Sequence, residues 1–154
     1  MIKAKIFTIV ISTLFFSSSY ALSPEAEVGK TLYPTCHICH NPELDKPLGP
    51  PMWGVQRRYK KATFDKDDFV KNMASFVKAP SLETAIHDEA LKNLGLMPAL
   101  PLADNLLKNI STYIYEEKFA APCTHWRFAV QKAKANNDEQ HAKKDQQMLN
   151  RFCQ

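Results

Sequence analysis

Apolar positions recur along much of this chain at helical spacing, and strand-like alternation is scarce. In "DDFVKNMASFVKA" (67–79), Phe69, Val70, Met73, Phe76 and Val77 fall at i, i+1, i+4, i+7 and i+8. That is one apolar stripe on a helix that ends before Pro80, because a residue preceding proline is driven out of the α region. "LADNLLKNISTYIYEEK" (102–118) carries the strongest stripe, with Leu106, Leu107, Ile110, Tyr113 and Ile114 on one face. "SPEAEVGKTLY" (23–33) opens with Ser23 as N-cap, Pro24 at the first helical position and acids in the first turn, so a helix is expected to about Tyr33. "SLETAIHDEALKNLG" (81–95) predicts another, capped by Ser81 and closed at Gly95. "NPELDKPLGPPMWGV" (41–55) holds four prolines and two glycines and predicts a long loop. Residues 124–152 are polar and helix-prone, with a break at Asn136-Asn137-Asp138. The pattern predicts an all-α fold of short helices tied by irregular loops. A fold so poor in regular structure calls for a staple, and a covalently bound cofactor is one.

The N-terminus changes what the fold must include. Lys3 and Lys5 precede an apolar run from Ile6 to Phe16, and Ser19-Tyr20-Ala21 puts small residues where a signal peptidase cuts. The run is short for a bilayer span, so residues 1–21 are expected to be a cleaved secretory signal rather than an anchor. The organisation expected is a signal peptide (1–21), a main domain (22–121) and a C-terminal helical hairpin (122–154). The full chain of 154 residues carries a net charge of +4. Without Lys3 and Lys5 it is +2, too small an excess to suggest nucleic-acid binding. Export to the periplasm is expected, with no stable membrane insertion after cleavage. In that compartment cysteines can pair.

The candidate chemistry sits in "TCHICHN" (35–41). Cys36-His37-Ile38-Cys39-His40 has the C-x-x-C-H spacing of c-type haem attachment. Cysteines three apart on one helical turn present both sulfurs to one side, where they can add to the two vinyl groups along a porphyrin edge. His40, directly after, can then ligate the iron. His37 points elsewhere and is expected to be passive. A zinc site on Cys36, Cys39 and a histidine would need a fourth ligand, usually from a second paired motif, and Cys123 and Cys153 stand 30 residues apart. A redox dithiol would need a βαβ context that the pattern lacks. Haem c is therefore the cofactor expected, on Cys36, Cys39 and His40.

These residues resemble the class I cytochromes c, and the likeness extends over roughly residues 24–118. "GKTLYPTCHICH" is similar to that family's N-terminal helix running into the haem motif, with Gly29 and Tyr33 at the family's glycine and aromatic positions. "LGPPMWGV" (48–55) resembles the loop that lies against the haem, and "LMPALPLADNLLKNISTYI" (96–114) the distal Met-Pro loop and last helix. Two departures stand out: Asn41 follows His40 where the family usually has glycine, and the polar tail after Cys123 has no counterpart. The resemblance implies a cytochrome c-like fold around one covalently bound haem. It also implies a close crossing of the first and last core helices at Gly29 and Tyr113.

Whether such an iron carries electrons or binds substrates depends on its sixth ligand. Met52, Met73, His87, Met97, His125, His141 and Met148 are the candidates. Met97 is favoured because Gly95 breaks the preceding helix and two prolines stiffen "GLMPALP" into a short arm. Met73 lies on the apolar stripe of its helix and is expected to pack the core. Met52 lies too close in sequence to reach across easily, and His87 stays open. Thioether ligation favours ferrous iron and raises the potential. The function expected is a periplasmic cytochrome passing single electrons between redox proteins, not an enzyme. The alternatives are a haem enzyme or gas sensor with an open sixth position, the cytochrome subunit of a larger oxidoreductase, or a non-haem metal-binding or structural module.

Trp53, Val55 and Tyr59 are expected to serve as pocket and core packing. "RRYKK" (57–61) reads as a solvated stretch, or else as a basic docking patch for an acidic partner. A single helix over 124–152 would hold its ends roughly 40 Å apart at 1.5 Å per residue, beyond any disulfide. A turn at 136–138 brings Cys123 and Cys153 together instead, with an intermolecular bridge as the alternative.

Overall fold

The computed structural model describes residues 21–44 and 46–153; the expected signal segment, residues 1–20, lies outside them. Eight helices and no strand appear among the described residues. They are α1 Pro24–Leu32, α2 Pro34–His40, α3 Met52–Ala62, α4 Lys66–Lys78, α5 Asp88–Leu94, α6 Asp104–Glu116, α7 Cys123–Ala135 and α8 Glu139–Phe152. The fold is all-α, as the periodicity requires. No helix among the described residues is long and apolar enough to cross a membrane.

The scaffold is built on α6, which packs along α1 and α4. Its stripe is buried through Leu107, Ile110, Tyr113 and Ile114. Phe69 and Met73 of α4 and Ala26 of α1 meet it in one core. The α1–α6 crossing depends on Gly29: a Cβ there would lie 2.0 Å from the Asn109 carbonyl oxygen and 2.9 Å from Tyr113 Cβ. Ser23 caps α1, its hydroxyl accepting from the Ala26 amide at 3.3 Å. Ser23 also donates through its own amide (2.7 Å) and hydroxyl (2.8 Å) to Glu116, which takes a third bond from Lys66 at 2.6 Å. One carboxylate thus joins the ends of α1, α4 and α6.

Two expectations need correction. The proline-rich stretch does not run as loop to residue 55, because α3 begins at Met52, directly after Pro51. Met52, Gln56 and Tyr59 form its buried face. The buried Gln56 breaks the apolar pattern, and its amide donates to the carbonyls of Ile114 and Glu117, both at 2.6 Å. It thereby satisfies acceptors that the end of α6 leaves open. Nor is 81–95 one helix. Ser81 caps a local turn, with the Thr84 amide donating to its hydroxyl and the Ala85 amide to its carbonyl. Such side-chain bonds compete with helix propagation, and α5 starts only at Asp88. Gly95 does close α5, at φ +80°.

The tail forms a helical hairpin. Asn137 takes positive φ (57°) at the turn, and Asp138 caps α8 through the His141 amide. Cys123 and Cys153 lie at disulfide distance, with Cα atoms 5.8 Å apart. The pair is within one chain, so the intermolecular alternative is not needed. Trp126 and Phe152 pack on Trp53 of α3, with ring centroids 5.3 and 5.0 Å away. Trp53 is therefore part of the joint to the hairpin and does not line the internal cavity, contrary to expectation. A second joint runs from α8 to α5, where Lys144 donates to Glu89 and His141 lies 3.7 Å from it.

Candidate functional site

Pro34 stands at the first position of α2, where a missing N–H costs nothing, and restarts the helix after Tyr33. Cys36 and Cys39 sit one turn apart on it, outside any disulfide, and His40 is its last residue. The His40 ring is fixed by the loop between α2 and α3. Its Nδ1–H donates to the Pro50 carbonyl at 2.6 Å, which leaves the lone pair on Nε2. Gly49 lets the loop pass this close, since a Cβ there would lie 3.2 Å from His40 Nδ1, His40 Cε1 and the Cys39 carbonyl. Asn41 is extended, and its side chain accepts from the Glu43 amide at 2.9 Å. Asn41 thus closes an Asx turn directly after α2.

Cys36, Cys39 and His40 open onto one cavity of about 230 Å³ whose wall is mostly apolar. Met97 lies on the same wall, as do Met52, Met73 and His87. His125, His141 and Met148 belong to the hairpin and do not line it. The Met97 arm is anchored at both ends, by the Gly95 turn and by the Leu100 amide bonded to the Val77 carbonyl at 3.0 Å. Met73 and Met52 are buried at 2% and 5% exposure, so packing accounts for them. Val55 and Tyr59 line the cavity as expected, and burial pushes the Tyr59 phenol up to about 12. His37 is exposed, packs its ring on Tyr33 and stays off the cavity wall.

His87 differs from the other candidates. Among the described residues, its Nε2 is the one buried side-chain nitrogen or oxygen without a hydrogen-bond partner. Burial holds its pKa below the ordinary histidine value, Arg58 adding to this and the Gly54 backbone, Glu89 and Asp88 opposing it. His40 is depressed too, by burial first, with the Pro50 bond opposing and His87 and His37 adding. Both rings are thereby biased toward the neutral form, which has a lone pair to give.

The competing chemistries fare differently. Burial, then the neighbouring Cys39, pushes the Cys36 thiol up, away from the lowered pKa of a reactive redox thiol. No three His, Cys, Asp or Glu side chains converge on a common metal position among the described residues. The four cations of "RRYKK" are exposed, and three of them also lie against the protein's own groups. Arg57 lies 4.6 Å over the Trp53 ring, Arg58 donates to the Ile86 carbonyl at 2.6 Å, and Lys60 lies 4.7 Å over Tyr115. Gly49, the Pro50 carbonyl and Gln56 support the site, yet the sequence singled out none of them. Only the crowding of prolines and glycine around 47–51 signalled the first two, and nothing in the pattern marked Gln56. No protein-family model, curated protein or solved structure matches the chain.

Proposed function

We propose that the cavity holds one haem c and that the protein is an exported electron carrier of the cytochrome c type. The observation that carries this is the convergence of Cys36, Cys39 and an oriented His40 on one apolar cavity. The residues present fit that group. Two unpaired thiols one helical turn apart suit thioether attachment, and a histidine whose Nδ1 is bonded to a backbone carbonyl offers Nε2 to iron. The apolar wall, which includes Val77, Ile110 and Leu107, suits the faces of a macrocycle and excludes water.

Bound haem would supply the one-electron chemistry. The chain's own part is to hold and to insulate. Cys36 and Cys39 fix the group's position, and the Pro50 carbonyl keeps the His40 ring from rotating. Met97, on a loop tied at both ends, is the sixth ligand we favour, its soft sulfur raising the potential. Met52, Met73 and Tyr59 close the wall behind. The protein would act in the periplasm, passing electrons between partner proteins.

The test is expression with the haem-attachment machinery. A covalent adduct by intact mass and sharp c-type bands in the reduced-minus-oxidised spectrum are expected, and both should vanish in Cys36→Ser/Cys39→Ser. Met97→Ala should abolish the weak red sulfur–iron band of the ferric protein. Intact protein without covalent haem would sink the proposal.

A further inference from the structure

Met97 explains a sixth ligand, but it leaves the environment of His87 unexplained. A thioether can be buried without a partner at little cost, whereas a buried ring nitrogen left unbonded loses its hydration with nothing in return. Native interiors rarely retain such a deficit without a reason. His87 carries the one such atom among the described residues, and it lies on the wall of the cavity that His40 and Met97 also line. Its backbone is the non-helical N-cap of α5 (φ −113°, ψ 71°), and α5 leads through the Gly95 turn straight to Met97. Two neighbouring bonds fix this segment from α3: Arg58 donates to the Ile86 carbonyl at 2.6 Å and pairs with Asp88 at 3.4 Å. Arg58 thus fixes the backbone on either side of the ring, and the ring's Nε2, beside Gly54 of α3, makes no hydrogen bond.

We propose that His87 is a second protein ligand for the haem iron, taking the sixth position through Nε2 whenever Met97 leaves it. The inference rests on the haem reading of the cavity. Imidazole is the harder donor and suits ferric iron, while thioether suits ferrous iron. In the exchange one iron–sulfur bond breaks and one iron–nitrogen bond forms. No proton moves, because a neutral ring donates its lone pair directly. Such a pair of ligands keeps the iron six-coordinate and closed to small molecules even when the Met97 arm opens.

The experiment uses the haem-loaded full chain and its spin state. Ferric Met97→Ala should lose the red sulfur–iron band yet stay low-spin by electron paramagnetic resonance, and its ferrous form should resist carbon monoxide. Met97→Ala/His87→Phe, which keeps the ring's volume and removes its nitrogens, should become high-spin and bind carbon monoxide freely. His87→Phe alone should keep the red band, which shows that the fold and the Met97 bond survive. A high-spin, open iron in Met97→Ala alone overturns the proposal. So does an identical low-spin signal in the single and double variants, which would leave His87 Nε2 to a haem carboxylate or a trapped water. Absence of covalent haem on Cys36 and Cys39 is a separate, visible failure that removes the haem reading itself.

Discussion

Two glycines rank themselves by what stands in front of them. At Gly29 a Cβ would meet the Asn109 backbone oxygen at 2.0 Å, so α1 would have to move away from α6. At Gly49 the nearest atoms are 3.2 Å away, and the His40 ring or the loop can yield by tenths of an ångström. Gly29→Ala is therefore expected to destabilise by about 3 kcal/mol or more and Gly49→Ala by about 1 kcal/mol. Thermal denaturation of the two variants checks the order, and equal losses would refute it. The Cys36, Cys39 and His40 triplet was legible because its chemistry is fixed by local spacing. The isolation of His87 was not, since it depends on a turn at Ser81–Thr84 that interrupts an otherwise helical pattern.

Elements declare themselves in sequence when their buried face is apolar, and they hide when it is not. The helices α1, α4 and α6 follow from periodicity and caps, and the hairpin from cysteine arithmetic and the break at 136–138. The missed element is α3, because one of its buried positions is Gln56, at 7% exposure, and four prolines precede it. Gln56→Leu keeps the volume but strips the Ile114 and Glu117 carbonyls of their donor. It should cost about 1–3 kcal/mol in chemical denaturation, and a neutral result would mean that water replaces the amide. For the hairpin, the cross-link closes a loop of 30 residues. Cys153→Ser should then cost roughly 3–4 kcal/mol on a chain-entropy basis. Fluorescence of Trp53 and Trp126, which meet edge to face, should report the parting of tail and body in that variant.

For the whole molecule, the Glu116 junction sets how the fold responds to acid. Burial alone would raise this carboxyl, whose side chain is 18% exposed, but the Lys66 and Ser23 bonds outweigh it and hold its pKa below the ordinary value. A carboxyl depressed on folding adds stability that is complete above its unfolded pKa and is lost as pH falls through the folded one. Melting temperature should therefore drop on acidification below the ordinary carboxylate range. Glu116→Gln should be less stable at neutral pH by about 1–3 kcal/mol and show a shallower acid drop. A variant with an unchanged acid profile would place the sensitivity elsewhere. The hairpin has a different consequence at this scale. It grips Trp53, beside the loop that orients His40, and Glu89, on the helix that leads to Met97. A single brace thus spans both shores of the cavity from outside, so thermal breathing of one shore is transmitted to the other. With its ends bound by Cys123 and Cys153, that brace is stiffest where thiols are kept oxidised. The tail ties the mechanical stiffness of the site to the redox poise of the protein's surroundings.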